Sequence, residues 1–211
     1  MRIWLIAAGL LAVLVINGVM ALAVTRAVSA SLVTREGEVA QEFLTSILAA
    51  EGSAGGLFAQ PGPTPALTSF AAHVRSLPGI VRANIYAPDG FIRYSTEANL
   101  IGLQFRDNAE LNQSFGGRII AKLEEISDSG KDEHLALGRR AGEKLIEAYI
   151  PVAGEGGRVI AVVEFYRTAD MVTATVGQIT CAIWLAAGLS GAILFLAFAG
   201  VTALSRRLGR R

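Results

Sequence analysis

Two long stretches of the chain carry no charged residue, and a region of mixed polar and apolar character separates them. The first stretch runs from Ile3 to Val24, 22 residues, and the second from Met171 to Ser205, 35 residues. A helix needs about 18 to 20 consecutive apolar residues to cross the hydrocarbon core of a bilayer. The pattern therefore predicts two transmembrane helices, one over 1–25 and one, with a helical stub, over 171–204.

The residues after the first stretch predict a helix that leaves the membrane. Apolar side chains recur at helical spacing at Val28, Leu32, Val39, Phe43 and Ile47. This helix should reach about Ala50, because the glycine-rich run at 52–56 and the prolines after it do not sustain a helix. We assign 26–64 to this helix and a linker. Thr64 and Pro65 then fit the N-cap and first position of a short second helix that ends near Ser76.

From Gly79 onward the apolar residues recur at every second position, which is typical of strands. IVRANIYA and FIRYST, joined by PDG, predict one β-hairpin, and KLIEAYIPV and RVIAVVEFYR, joined by AGEGG, predict another. Between them we expect a helical or irregular segment from Arg106 to Phe115, with Asp107 as a helix N-cap, and then RIIAKLEEI as a central strand. A weaker strand is expected around His134 to Arg140. These elements predict an α+β fold with an antiparallel sheet of about five strands and a long N-terminal helix, between two transmembrane helices.

Strand alternation sorts the side chains of the sheet onto two faces. The apolar face comprises Val81, Ala83, Ile85, Ile146, Ala148, Ile150, Val159, Ala161, Val163 and Phe165. The opposite face, rich in hydrogen-bond donors and aromatic rings, comprises Arg82, Asn84, Tyr86, Arg93, Glu147, Tyr149, Glu164 and Tyr166. If loops cover this polar face, its guanidinium groups and tyrosines are suited to clamping a carboxylate, and the candidate ligand-binding residues are Arg82, Asn84, Tyr86, Arg93, Glu147 and Tyr149. The alternative is the ordinary solvated side of an antiparallel sheet.

The charges are distributed unevenly about the two apolar stretches. Arg2 and the basic tail 205–211 carry five positive charges, whereas 25–175 carries 14 Lys and Arg against all 18 Asp and Glu. Arginine-rich flanks stay on the cytoplasmic side of a membrane. We therefore expect an inner (cell) membrane protein with both termini cytoplasmic and 26–175 extracytoplasmic. A cleaved signal peptide ending near Ala21-Leu22-Ala23 is the alternative for the first stretch, although its length exceeds the usual range of about 7 to 15 apolar residues.

The composition of the chain limits the partners, metal sites and activities that it can have. The chain has 211 residues, 52% of them apolar, and a net charge of +1, which favours a membrane protein and gives no electrostatic reason to expect a nucleic acid partner. One cysteine and two histidines exclude a disulfide framework and a Cys/His zinc site. The sequence contains no recognisable pairing of nucleophile and base and no metal-ligand spacing, so we expect neither an enzyme nor a bound cofactor or metal.

The segment GIVRANIYAPDGFIRYSTEANLIGLQFRDNAELNQSFGG is similar to the strand, Asp-Gly turn, strand, Ile-Gly and helix arrangement of the Cache family of extracytoplasmic sensor domains. The resemblance extends over roughly 65–167, so we assign 65–170 to a Cache-like domain, and it implies a PAS-like fold. Cache domains lie between two spans in bacterial histidine kinases, chemoreceptors and cyclic-dinucleotide enzymes, where they bind small organic molecules. The amino-acid-binding signature of that family, a paired Arg with Trp-Tyr, is not visible in this chain.

These features predict a membrane-anchored sensor that binds a small molecule outside the cell. Lacking an output domain of its own, it would signal through a partner such as a histidine kinase, a cyclase or a chemoreceptor. Small residues four apart in the second span, Ala187 with Gly191 and Gly188 with Ala192, would allow a homodimer. Two other interpretations stay open: an envelope assembly or protein-interaction factor with a non-sensing outward domain, and the front part of a longer histidine kinase or chemoreceptor.

Overall fold

The computed structural model describes residues 2–51, 64–105, 107–126 and 143–208. The chain divides into two compact units, which we call the helical unit (Met1–Ser29 with Met171–Arg211) and the sheet domain (Ala30–Asp170). In chain order the elements are α1 (Arg2–Glu51), α2 (Pro65–Ser76), β1 (Ile80–Tyr86), β2 (Ile92–Ser95), α3 (Ala109–Phe115), β3 (Ile120–Glu125), β4 (Lys144–Ala153), β5 (Val159–Thr168) and α4 (Asp170–Leu208).

The five strands form one antiparallel sheet in the order β2-β1-β5-β4-β3. Both predicted hairpins, β1 with β2 and β4 with β5, are present, and the predicted α+β class with a PAS-like sheet and a long N-terminal helix is confirmed. In the register of the central strands, Glu147 lies opposite Tyr166 and Asn84 lies opposite Glu164. The middle strand β5 therefore brings residues of the two hairpins side by side.

One strand position and one helix cap differ from the prediction, and one predicted strand falls outside the described residues. β3 is an edge strand paired with β4 rather than a central strand, because β5 returns beside β1 and takes the middle of the sheet. The N-cap of α3 is Asn108 rather than Asp107, since the Asn108 carboxamide oxygen accepts a hydrogen bond from the Leu111 amide at 2.8 Å. The strand expected at His134–Arg140 lies outside the described residues.

The apolar face of the sheet packs against α1 and α2. Thr64 caps α2 as predicted, its hydroxyl accepting a hydrogen bond from the Leu67 amide at 3.1 Å. The core on this side comprises Ala40, Leu44, Ile47 and Leu48 of α1, Leu67, Phe70, Ala71 and Val74 of α2, and Ala83, Ile85, Ala148, Ile150, Val152, Ala161, Val163 and Phe165 of the sheet. Val81 and Val159, predicted for this face, pack instead with Tyr166 and Tyr149 respectively. Register shifts in the adjoining strand pairs change the alternation there.

Among the described residues, two helices are long and apolar enough to cross a membrane, Leu11–Ala49 and Asp170–Leu204, whose most apolar 18-residue windows have mean hydropathies of 2.0 and 2.2. At about 1.5 Å per residue, α1 is roughly 75 Å long, more than twice the hydrocarbon core of a bilayer. Within the helical unit the Thr25 and Thr180 hydroxyl oxygens are 3.2 Å apart. The two helices predicted to span the membrane thus contact each other through a polar pair.

A glycine lets the outer part of α1 approach the sheet closely. A Cβ atom on Gly37 would lie 2.8 Å from Ile119 Cγ2 and 3.3 Å from Ala121 Cβ. Both distances are shorter than ordinary van der Waals contact between carbon atoms, which is about 3.5–4.0 Å. A larger side chain at this position would therefore push α1 away from the edge of the sheet.

We expect Gly37→Val to lower the free energy of unfolding by about 1–3 kcal/mol, because the added methyl groups overpack this contact. Gly177→Val on α4 is the matched control, since no atom lies within 4 Å of its Cβ position. Denaturant unfolding of the detergent-solubilised full chain, followed by circular dichroism, measures both. Equal stabilities of the two variants would contradict the close packing.

Candidate functional site

The polar face of the sheet is buried. Five of the six candidate residues lie on it with at most 4% of their surface exposed: Arg82, Asn84, Tyr86, Glu147 and Tyr149. Leu111 and Ser114 of α3 are buried here, and a cluster containing Tyr86, Tyr149 and Leu111 is packed by Leu100, Phe105, Phe115, Ile120 and Val159. α3 and the segment before it therefore cover the face. The alternative of a solvated sheet face is wrong for these five residues.

Glu164, a carboxyl group on the middle strand, connects β1, β2 and β5. Its Oε2 accepts hydrogen bonds from the Asn84 carboxamide at 2.6 Å and from the Tyr86 hydroxyl at 2.9 Å. Its Oε1 lies 3.1 Å from the Tyr166 hydroxyl oxygen. Asn84 accepts a further hydrogen bond from the Ser95 hydroxyl at 2.6 Å, which joins β2 to the network.

Glu147 is a second buried carboxyl group, on β4, and it connects the sheet to its cover. Its Oε1 accepts hydrogen bonds from the Tyr166 hydroxyl at 2.7 Å and the Tyr149 hydroxyl at 3.0 Å. Its Oε2 lies 2.9 Å from Lys122 Nζ. The Tyr149 hydroxyl in turn accepts a hydrogen bond at 3.0 Å from the carboxamide of Asn108, the N-cap of α3. A chain of side-chain contacts therefore runs from the middle of the sheet to the cover.

Lys122, on the edge strand β3, contributes a positive charge to the network. It lies opposite Glu147 in the register of β3 with β4, and its ammonium group also pairs with Glu110 at 3.0 Å and Glu124 at 2.8 Å. Three carboxylates on α3, β3 and β4 therefore share this one ammonium group.

Arg82 is the cation of β1. Its guanidinium carbon lies 4.3 Å from the centroid of the Tyr166 ring, a cation–π contact. One guanidinium nitrogen lies 3.6 Å from a carboxylate oxygen of Glu97. Arg82 is thus held between an aromatic ring and a carboxylate on the loop after β2.

Arg93, the sixth candidate, makes different contacts. Its guanidinium pairs at 2.5 Å with Asp89, whose side chain is 46% exposed, and its central carbon lies 5.8 Å from the Phe91 ring centroid. Arg93 is on the edge strand β2, where a bulge interrupts the pairing with β1. Strand alternation therefore assigns Arg93 to the polar face but does not show whether it joins the buried network.

Several residues of the network were not selected from the sequence. Glu164 and Tyr166 belong to the predicted polar face but are not among the six candidates, and neither are Lys122, Ser95 and Asn108. The strand register identifies two of these residues, because Lys122 lies opposite Glu147 across β3 and β4, and Ser95 lies opposite Asn84 across β1 and β2. That register follows only once the strand order is known.

Burial and neighbouring charges shift the ionisation of these groups. Burial raises the pKa of Glu164, because a charged carboxylate is unfavourable away from water. Burial, reinforced by Glu164 and Glu147, raises the pKa of Tyr149 and of Tyr166, so both phenols stay protonated. Burial opposes the charged form of Lys122, but hydrogen bonds to its carboxylate partners outweigh that effect and raise its pKa.

The arrangement offers hydrogen-bonding and electrostatic chemistry. It combines carboxylates, phenol hydroxyls, a carboxamide and two cations beneath apolar and aromatic side chains, a composition typical of small-molecule sites. Among the residues that the structure describes, no group of three or more His, Cys, Asp or Glu side chains is placed to hold a metal ion.

No protein-family model matches the chain, and a search of the curated proteins found no match. Among solved structures, the chain is similar to an extracellular ligand-binding receptor from Desulfohalobium retbaense, with 10% identity and a TM-score of 0.46 over 74% of this chain and 26% of that one. It is also similar to the extracellular domain of a protein described as a histidine kinase, rpHK1S-Z16, with 13% identity and a TM-score of 0.44 over 74% and 58%.

A third similar structure is the ligand-binding domain of the amino acid chemoreceptor PctC of Pseudomonas aeruginosa PAO1 in complex with GABA, with 19% identity and a TM-score of 0.37 over 69% of this chain and 62% of that one. The chain spans about a quarter of the length of the first of these structures and less than two thirds of the other two. Likenesses at these identities and TM-scores carry no ligand, partner or activity to this chain.

We expect Lys122→Met to lower the free energy of unfolding by about 3 kcal/mol at pH 7, because it leaves the buried Glu147 carboxylate without its cation. Since the pKa of Lys122 is raised on folding, the stabilisation by Lys122 is fully present below its unfolded value of about 10.4 and is lost only as the pH rises through the folded value.

Arg93→Met is the matched control for that variant. The Arg93 side chain is 17% exposed but its partner Asp89 is 46% exposed, so water can replace the lost cation around Asp89 and the cost should stay at about 1 kcal/mol. Denaturant unfolding of both variants between pH 4 and pH 8 measures the difference. An Arg93 variant as unstable as the Lys122 variant would contradict the assignment of Lys122 and Glu147 as a stabilising ion pair.

Proposed function

We propose that the sheet domain is an extracytoplasmic sensor that binds a small polar molecule at its polar face and signals to a partner protein through the two helices at its ends. The observation that carries the proposal is the buried network around Glu147 and Glu164. Burying two carboxyl groups is unfavourable unless many partners surround them, and such groups concentrate at functional sites. Candidate spans at both ends of this domain support a role in passing a signal across a membrane.

The cover of the face supports ligand entry at α3. This helix has seven residues, and its N-cap Asn108 donates to the Tyr149 hydroxyl. A ligand that bonds to Tyr149 or Glu147 would compete with that contact and move α3. The carboxyl groups and phenols of the face favour a ligand with several hydrogen-bond donors, such as an ammonium or hydroxyl compound, over the carboxylate considered from the sequence.

The middle strand supports a route from the ligand to the membrane. β5 carries Glu164 and Tyr166 of the network and ends shortly before α4 begins. Its Arg167 donates a hydrogen bond to Glu36 of α1. A displacement of β5 would therefore act on both membrane-directed helices, provided that the ligand binds one arrangement more tightly than the other. A histidine kinase, cyclase or chemoreceptor is the receiver that we propose.

A thermal-shift and calorimetric screen of the full chain in detergent, against organic ammonium compounds, polyols, amino acids and carboxylates, tests ligand binding. We expect at least one compound class to raise the unfolding temperature by several degrees, and Tyr149→Phe to weaken its binding about tenfold by removing one hydrogen bond. Tyr94→Phe is the control, because Tyr94 packs on the opposite, apolar face. A screen in which every class fails to bind, or equal losses in both variants, would refute the site.

Cysteine labelling in intact cells tests the proposed orientation. In a Cys181→Ser background, an exposed sheet-domain residue is replaced in Arg158→Cys and an exposed residue near the end of α4 in Arg207→Cys. A membrane-impermeant maleimide should label the Arg158 variant in intact cells and the Arg207 variant only after lysis. Labelling in the reverse order would place the sheet domain in the cytoplasm and overturn the proposal.

A further inference from the structure

Two buried carboxyl groups approach the same phenol hydroxyl. Tyr166 Oη lies 2.7 Å from Glu147 Oε1 and 3.1 Å from Glu164 Oε1. A phenol has one hydrogen to donate, whereas an ionised carboxylate can only accept. If both carboxyl groups were ionised, Tyr166 could donate its hydrogen to only one of the two carboxylate oxygens. The other carboxylate oxygen would then lie against Tyr166 Oη with no hydrogen between the two atoms. Hydrogen bonding to both oxygens therefore requires one additional proton.

The other contacts decide which carboxyl group carries that proton. Glu147 Oε1 also accepts from Tyr149, and its Oε2 lies 2.9 Å from the Lys122 ammonium group, so these contacts suit a carboxylate. Glu164 Oε2 accepts from Asn84 and from Tyr86. The Tyr149 hydroxyl also neighbours Glu164, but its single hydrogen is donated to Glu147. Glu164 Oε1 is then the oxygen that can bear hydrogen and donate it to Tyr166 Oη.

We propose that Glu147 and Glu164 share one proton at neutral pH, with Glu164 as the neutral acid and Glu147 as the carboxylate. The proton is then itself a ligand of the sheet domain. Its loss in alkaline surroundings would place a second negative charge on the buried face and break the bond between Glu164 and Tyr166. This inference goes beyond the proposed binding of a small molecule and holds whether or not such a molecule binds.

The charges around the pair agree with this assignment. The titratable and charged groups that face it are Arg82 and Tyr86 of β1, Tyr149 of β4, Tyr166 of β5 and Lys122 of β3, with Glu97 beside Arg82 and with Glu110 and Glu124 beside Lys122. Lys122 stabilises negative charge on Glu147. Arg82 is within electrostatic range of Glu164 but pairs with Glu97. Burial, which raises the pKa of Glu164, acts in the same direction.

Infrared spectroscopy of the detergent-solubilised full chain detects the proton directly. At pH 7 we expect a C=O stretching band of a protonated carboxyl group that shifts in D₂O, disappears in Glu164→Gln and persists in the control Glu110→Gln. Absence of the band from the wild-type protein, or its persistence in Glu164→Gln, would overturn the proposal. The wild-type spectrum gives an answer even if a variant were to misfold.

The two glutamine substitutions provide a second readout. Glu164→Gln replaces the neutral acid by an amide that can donate to Tyr166 and accept from Asn84 and Tyr86, so it should fold. Glu147→Gln can place an amide N–H beside the Lys122 ammonium group, and it should lower the unfolding temperature more. A Glu164 variant that fails to fold, or that is the less stable of the two, would contradict the assignment.

The pH dependence of stability completes the test. Because the pKa of Glu164 is raised on folding, its protonated form stabilises the fold fully below the unfolded value of about 4.3, and this stabilisation is lost as the pH rises toward the folded value. The unfolding constant of the wild-type protein should therefore increase relative to that of Glu164→Gln by up to tenfold per pH unit in that interval. A ratio that does not change with pH would refute a bound proton.

Discussion

The burial of Glu147 and Glu164 is the constraint on which the sheet domain depends. A carboxyl group removed from water needs hydrogen-bond partners that replace the water it loses. Asn84 and Tyr86 meet this need for Glu164, and Tyr149, Tyr166 and Lys122 meet it for Glu147. These side chains come from four strands, so the polar network and the strand order specify each other.

The strand order also explains why the network lies where it does. In the order β2-β1-β5-β4-β3, the middle strand is the last to be added along the chain, and it carries Glu164 and Tyr166 into contact with residues of both hairpins. The polar face is therefore completed only when distant parts of the sequence pair. Along the chain, the same strand is followed by α4, an element predicted to enter the membrane.

The sequence predicted most elements of the fold because their signals are local. Alternation identified both hairpins, the Thr64-Pro65 pair marked the start of α2, and the long charge-free stretches marked α1 and α4. The edge position of β3 and the bulges that turn Val81 and Val159 to the other face depend on pairing between distant strands. Burial of the polar face was not predictable either, because alternation gives the face of a residue but not what covers it. The pairing of Lys122 with Glu147 was not predictable either, because it depends on the register of β3 with β4.

Gly37 sets how α1 is attached to the sheet domain. A Cβ atom at this position would meet Ile119, Ala121 and Ile150, so the outer part of this helix lies directly against β3 and β4. The Arg167–Glu36 pair joins the same helix to β5. A displacement of β5 would then carry α1 with it, so the helix that continues into the first predicted span would follow the sheet.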